Sequence, residues 1–343
     1  MIFLKSLRSR VICSAAFLTL SFGSAGVCAQ ATATPVSPMI DSPSWDYTPS
    51  WMLDGFDGKE KIWWCSDRWG DFEPEPPGEG DVIRYSERYP NGSWSTPLTV
   101  LTPVNNGSGY NTWEGQCNCD PAVIRGAFPF NGSNYSYAMY YTASPTCDKD
   151  NKIGVAFSND GINWVKHASP IISTIGTPYL GYGAGQAQVR NANGGSAVTL
   201  WHTDSPTEHV NRIYERTSLD GINFTLAPDP ITNAGMAVAN MAAVGLALSP
   251  TAPYHLYLIR GDDGPLKIYK IPYEQRFSGS WTYLGQIVPN SGNETHLLEP
   301  GWKNDSYGNL ANTLPEAHAA FGCGTAAAPI TWKLCESTVT ISP

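Results

Sequence analysis

The chain has 343 residues, a length that admits one large or two ordinary domains. Charged residues make up only 15%, aromatics 12%, and 33 Gly and 27 Pro punctuate the sequence. That mixture suits short strands and tight turns and excludes helical bundles, which need long runs of Ala, Leu, Glu and Lys. A formal net charge of −9 repels phosphate backbones and anionic lipid heads, so nucleic acid is excluded and neutral partners are favoured.

In chain order, residues 1–29 read as a secretory signal peptide. Lys5, Arg8 and Arg10 supply the positive region, Val11 to Phe22 the apolar stretch, and Val27-Cys28-Ala29 the small residues before a cleavage at Gln30. The apolar run is too short for a membrane anchor, so a secreted or periplasmic location is expected. A lipoprotein signal at Cys28 is the lesser alternative, because no Leu stands three residues before it. Six cysteines remain, at 65, 117, 119, 147, 323 and 335, and an even number in an exported chain favours disulfides. Cys323 and Cys335 are the first choice for a pair. A zinc site at Cys117-Asn118-Cys119 is the alternative for that stretch, although no His lies nearby.

Residues 30–45, rich in Ala, Thr, Ser and Pro, read as a flexible leader. From 46 to 343 a unit recurs, ending each time in a tight turn followed by an aromatic: Gly92-Ser93-Trp94, Gly161 to Trp164, Gly221 to Phe224, Gly279-Ser280-Trp281 and Pro329 to Trp332. The spacings between those aromatics are 70, 60, 57 and 51 residues, a period that fits four-stranded propeller blades. Ahead of each turn lie two strand-sized apolar runs, such as Tyr137 to Tyr141 and Ile153 to Phe157, and a further strand precedes most pairs, as at Ala122 to Arg125. The expected fold is all-β: a single five-bladed β-propeller of four-stranded antiparallel blades. One blade cannot bury both faces of its sheet, so the rings at the turns are expected to fill the wedges between neighbours.

Ser158-Asn159-Asp160-Gly161-Ile162-Asn163-Trp164 and Ser218-Leu219-Asp220-Gly221-Ile222-Asn223-Phe224 resemble the Ser-x-Asp-Gly-x-x-Trp blade turn of five-bladed glycoside hydrolases. The families concerned are the arabinanase/β-xylosidase family 43 and the invertase/levanase family 32. Trp51-Met52-Leu53-Asp54-Gly55 is similar to the first-blade Trp-Met-Asn-Asp-Pro motif of the invertases. Cys119-Asp120-Pro121 resembles the Asp-Pro strand opening of both families. The resemblance implies that Asp54 is the base or nucleophile and Asp120 the carboxylate that stabilises the transition state or tunes the acid. Read as residues alone, Asp120 is equally a turn aspartate before Pro121, and Asp54 is more readily one beside Gly55. Where those families carry a third-blade general-acid Glu, this chain reads Gly185-Gln186-Ala187, and Gln186 cannot donate a proton as a carboxylic acid can. Glu299, opening the fifth repeat, is then taken as the third catalytic carboxylate. Glu114 and Asp204 are alternatives, which with Gln186 and the rings Trp113, Trp201 and Trp302 are otherwise substrate contacts; Tyr179 and Tyr182 are further rings of that kind.

Three functions compete. A glycosidase acting on a furanoside- or pentose-containing glycan needs two carboxyls about 5–9.5 Å apart. A non-catalytic glycan-binding propeller needs only the mouth. A sialidase would want six blades and an arginine cluster, against five repeats. No cofactor is required; the resemblance allows a structural Ca²⁺ in the central channel, and a monomer with a carbohydrate ligand is expected.

Overall fold

The computed structural model describes residues 30–42, 44–67, 80–104, 112–147, 150–174, 184–207, 210–235, 244–261, 264–290, 294–312, 314–325 and 332–342. The signal-peptide residues, Tyr179, Tyr182 and the side chain of Gln186 lie outside this set. Two short strands come first, β1 (Ala31–Ala33) and β2 (Ser37–Ile40). Blade one follows with β3 (Trp45–Leu53), β4 (Glu60–Asp67), β5 (Val82–Glu87) and β6 (Leu98–Leu101). Blade two holds β7 (Cys117–Phe130), β8 (Ser133–Ser144), β9 (Lys152–Ser158) and β10 (Val165–Lys166). Blade three holds β11 (Ala184–Asn191), β12 (Val198–Thr207), β13 (Val210–Ser218) and β14 (Phe224–Leu226), and blade four β15 (Val244–Leu248), β16 (His255–Arg260), β17 (Leu266–Pro272) and β18 (Thr282–Ile287). Blade five is built from β19 (His296–Asp305), β20 (Glu316–Gly324) and β21 (Trp332–Ile341). Each blade is an antiparallel meander, and the first strand of each is the innermost.

Residues 30–45 are not the flexible leader expected from their composition. Ala31 pairs with Ile341 and Ser37 with Glu336, so β1 and β2 form the outer edge of blade five. A sheet edge of unpaired N–H and C=O groups is a liability that a short strand removes at little cost. On its inner side, blade five joins blade one through a parallel pairing of Lys303 to Asp305 with Trp51 to Leu53. The two ends of the chain thereby close the ring.

Five apolar clusters account for the number of blades. Trp51, Ile62 and Trp64 meet Ala320 and Leu334 between blades five and one. Met52, Trp63 and Tyr85 meet Val123, Tyr137 and Met139 between one and two. Ile124, Phe128 and Tyr140 meet Val189 and Leu200 between two and three, and Trp201 and Ile213 meet Leu246 and Leu258 between three and four. Tyr257 and Ile259 meet Leu297, Trp302 and Phe321 between four and five. Four of the five rings of the recurring turns join these clusters: Trp281 is a member, and Trp94, Trp164 and Phe224 pack against their neighbours, whereas Trp332 meets His296 edge-on within blade five.

The turns also lock blades together. Asp160 accepts hydrogen bonds from the amides of Ile162 and Asn163, and Asp220 does the same for Ile222 and Asn223. The two turns leave Gly161 and Gly221 with φ of +78°, a conformation open to glycine. Their carbonyls accept from the preceding blade: Trp63 Nε1 at 2.8 Å and Tyr140 Oη at 3.0 Å. Three disulfides are present, Cys65–Cys119, Cys117–Cys147 and the expected Cys323–Cys335. The zinc alternative for Cys117 and Cys119 falls with them, since all four sulfurs of that region are consumed. Such a set marks a chain that folds in an oxidising compartment. Among the described residues, no helix is long and apolar enough to cross a membrane.

Candidate functional site

The inner strands β3, β7, β11 and β19 all carry a bulge near their starts, hence at one end of the channel, called the mouth below. The pairing register slips between Tyr47 and Ser50, Cys119 and Ala122, Gly185 and Gln188, and Leu298 and Gly301. The residues displaced are Thr48, Asp120, Gln186 and Glu299 with their successors. Thr48, Asp120 and Glu299 share a left-handed backbone, with φ of +47°, +48° and +46°, and each precedes a proline. A non-glycine residue held there costs about 1–3 kcal/mol and persists only where its surroundings fix it, a pattern that clusters at functional sites. Proline following the bulge forfeits no ladder bond, because it has no N–H to donate.

These positions meet. Thr48, almost fully buried, donates its hydroxyl to Glu299 Oε2 at 2.5 Å across the seam between blades one and five. Burial and the negative charge of Asp120 push the Glu299 carboxyl up to about 7, against the opposing effect of the Thr48 bond. Asp120 and Glu299 both remain partly exposed, so the pair faces solvent. Tyr47, next to Thr48, donates to Asp81 Oδ1; burial and the charges of Asp81, Glu299 and Asp67 drive its phenol upward, keeping it protonated. Cys119, the residue before Asp120, is bonded to Cys65, which lies opposite Tyr47 on β4. A disulfide thus fixes the spacing of the first and second bulges. Cys65, Asp81 and Cys119 are the one group with metal-ligand spacing among the described residues, but both sulfurs are already joined to each other.

Asp54 is not part of this centre. It follows the last residue of β3 and lies in the β3–β4 hairpin, at the end of the channel opposite the mouth. Six residues separate it from Thr48, roughly 20 Å along a strand. Fully buried, it accepts from Lys61 Nζ at 2.7 Å, Tyr137 Oη at 2.6 Å and Arg125 Nε at 2.9 Å. Burial alone would raise its carboxyl, but these bonds outweigh it and hold the group at about 2. Arg125 lies between the rings of Phe56 and Tyr137, 4.4 and 4.2 Å from their centroids. The expected pairing of Asp54 with Asp120 is therefore corrected: Asp54 is an ion-paired strut.

That far end carries the hairpin between β19 and β20. Ser306 Oγ accepts from Gly55 N of blade one, Ser306 O from Arg125 N of blade two, and Tyr307 O from Asn191 N of blade three. Leu310 N donates to Leu248 O of blade four. Gly308, at φ +83°, packs so closely that a Cβ would collide with Val189 O. One turn of blade five therefore reaches all four other blades at the far end of the channel.

The remaining expected contacts fall elsewhere. Trp201 and Trp302, each 1% exposed, are core residues at the third and fourth seams rather than sugar platforms. Trp201 Nε1 donates to Glu215. Glu114 accepts from Tyr141 Oη and Lys166 Nζ of the outermost strand of blade two, away from the channel. Trp113 stacks on Tyr141 with centroids 6.3 Å apart and donates to Ala168 O. Asp204 is buried on β12, opposite Ala184 and Arg212, one strand out from the channel at the mouth end. Glu299 and Asp120 are brought together, and Gln186 takes the matching backbone position on β11. Tyr47, Thr48 and Asp81 were missed. The signal was present: Thr48-Pro49-Ser50-Trp51 and Glu299-Pro300-Gly301-Trp302 share one pattern, and Asp120-Pro121 repeats its first half.

No family model and no curated protein matches the sequence. Solved structures match it in fold. A family 117 glycoside hydrolase from the marine bacterium Zobellia galactanivorans superposes with a TM-score of 0.60 at 10% identity, covering 91% of each chain. The protein BT0996, solved as an RGII complex, gives 0.59 at 12% identity over 92% of each chain. A thermostable family-43 glycoside hydrolase gives 0.54 at 12% identity, covering 90% of this chain and 92% of its own. At such identities the likeness is one of fold.

Proposed function

We propose that the chain is an exported, carbohydrate-active propeller that hydrolyses glycosidic bonds at the mouth, with Glu299 as general acid and Asp120 as its carboxylate partner. The observation that carries this reading is the pair of carboxylates on matching left-handed bulges of β7 and β19, with Glu299 held by Thr48 and its carboxyl pushed up by burial and by the Asp120 charge. A glycosidase needs one carboxyl protonated near neutral pH and a second ionised beside it. In this scheme Glu299 gives its proton to the leaving oxygen as the bond to the anomeric carbon breaks. Asp120 takes a proton from the attacking water, or itself adds to the anomeric carbon. Thr48, donating to Oε2, leaves Oε1 to carry the acidic proton. The negative surface favours neutral glycans, and furanoside- or pentose-containing chains are the substrate class proposed. The disulfides fit a secreted or periplasmic setting.

A second reading has its own support. Thr48 and Gln186 are uncharged at two of the four bulges, and Gln186 stands where the resembled families carry their general-acid Glu, which suits a glycan-binding propeller without turnover. A release assay on arabinan, xylan, fructan and galactan oligosaccharides separates the two. Release by the wild type and its loss in Glu299→Gln support hydrolysis. Binding without release, unchanged in Glu299→Gln, establishes the binding module, and neither binding nor release removes both.

A further inference from the structure

Asp81 stands immediately before β5, and its main chain grips the start of β7. Its N–H donates to Cys117 Sγ at 3.2 Å and its carbonyl accepts from Asn118 N at 2.9 Å, three and two residues ahead of Asp120. Gly80 seats the segment. A Cβ there would lie 2.8 Å from the sulfurs of both Cys117 and Cys147 and 2.9 Å from Gln116 O, so the chain has no room to slide. The second bulge is thus referenced to blade one by these two bonds as well as by Cys65–Cys119.

The side chain of the same residue reaches the first bulge. Asp81 Oδ1 accepts from Tyr47 Oη at 2.5 Å, and Tyr47 directly precedes Thr48. Burial and the carboxylates of Asp81, Glu299 and Asp67 oppose ionisation of the phenol, so this donor stays protonated. Tyr47 also lies against blade five: a Cβ on Gly322 of β20 would sit 3.1 Å from Tyr47 Cβ. Thr48 is therefore held between an anchored Tyr47 and Pro49. Its left-handed backbone, at φ +47°, relaxes unless its neighbours prevent it. Relaxation would swing its hydroxyl away from Glu299 Oε2, removing the bond that opposes the upward push on that carboxyl.

We propose that Asp81 is a positioning residue of the mouth: its main chain sets the bulge bearing Asp120, and its carboxylate, through Tyr47 and Thr48, sets Glu299. One residue of blade one then registers two carboxylates that stand on blades two and five. The inference deepens the reading of Glu299 and Asp120 as an acid and its partner, and rests on it for its catalytic consequence. The charge of Asp81 is not what moves Glu299, which responds to burial, Asp120 and the Thr48 bond, so its part is geometric.

The test follows the Glu299 midpoint by ¹³C-carboxyl NMR in Asp81→Ala, Asp81→Asn and Tyr47→Phe, with unfolding midpoints and release kinetics measured on each. Asp81→Ala and Tyr47→Phe both break the anchor and weaken the Thr48 donor. The Glu299 midpoint is expected about one pH unit above wild type in each, and no higher in the double variant. In both, kcat is expected to fall roughly ten- to a hundredfold with KM unchanged, the cost of misplacing a reacting group by about 1 Å. Asp81→Asn keeps an Oδ1 acceptor and is expected to hold midpoint and kcat near wild type. Lower stability with a wild-type midpoint in Asp81→Ala and Tyr47→Phe marks a merely structural contact and overturns the proposal. A midpoint displaced in Asp81→Asn as far as in Asp81→Ala overturns it too, since charge rather than geometry is then at work. The midpoints are read with or without turnover. A wild type that releases no sugar but shows these displacements loses the hydrolytic reading alone, and a hydrolytic wild type with unmoved midpoints loses this inference alone.

Discussion

Replacing Asp54 by alanine is expected to cost stability and leave glycan recognition at the mouth in place. The carboxylate is fully buried and joined to Lys61 and Arg125, so its removal strands two cations. Breaking one side of a buried ion pair typically costs about 3–5 kcal/mol. Unfolding entropy near 2.1 cal/mol/K per residue makes that a fall of roughly 5–8 °C in Tm for a chain of this length. The pH dependence has a definite sign. The folded-state carboxyl sits at about 2 against an ordinary 3.8, so its contribution is fully present above 3.8 and is lost as pH falls through about 2. That span corresponds to roughly 2–3 kcal/mol. The assay is denaturant unfolding of wild type and Asp54→Ala at pH 7 and pH 2.5, with glycan binding measured in parallel. The gap between the two proteins should narrow at the lower pH. A variant with wild-type stability and lost binding would refute the structural assignment and return Asp54 to the active centre.

Asp54 also shows where sequence reading fails. Trp51-Met52-Leu53-Asp54 resembles a known motif at three of its first four letters, but Asp54-Gly55 stands between two apolar runs, which is hairpin chemistry. The strand it terminates begins nine residues earlier, and the bulge that matters lies at Thr48-Pro49. Blade number was legible because packing wedges require an aromatic at every turn, whereas the site depends on which end of each strand faces the mouth. Asp120 drew notice through its Asp-Pro opening and Glu299 as the acid that opens the fifth repeat, and both lie on bulges followed by proline. Trp201 and Trp302 were misread as platforms because sequence does not tell a ring in a seam from a ring at a mouth. β1 and β2 escaped notice because an Ala-, Thr- and Pro-rich edge has no hydrophobic alternation and gains its structure only from β21.

Two further substitutions probe the frame. Gly308→Ala is expected to destabilise by about 1–3 kcal/mol, since its φ of +83° disfavours a side chain and Val189 O occupies the space; an unchanged denaturation midpoint would contradict that fit. Deleting residues 30–40 from the mature chain exposes the β21 edge and removes Val36 and Ile40 from two clusters, a loss of roughly 3–6 kcal/mol readable by calorimetry. An unaltered Tm would show that blade five closes without them.

The measurement that bears most directly on the mouth is a ¹³C-carboxyl NMR titration of Glu299 in wild type and in Asp120→Asn. Burial and the Asp120 charge together set the wild-type value, so a midpoint near 7 is expected, falling toward the ordinary 4.5 once that charge is gone. Midpoints in the ordinary glutamate range in both proteins, or one unmoved by the substitution, would contradict a paired acid and carboxylate at this end of the channel.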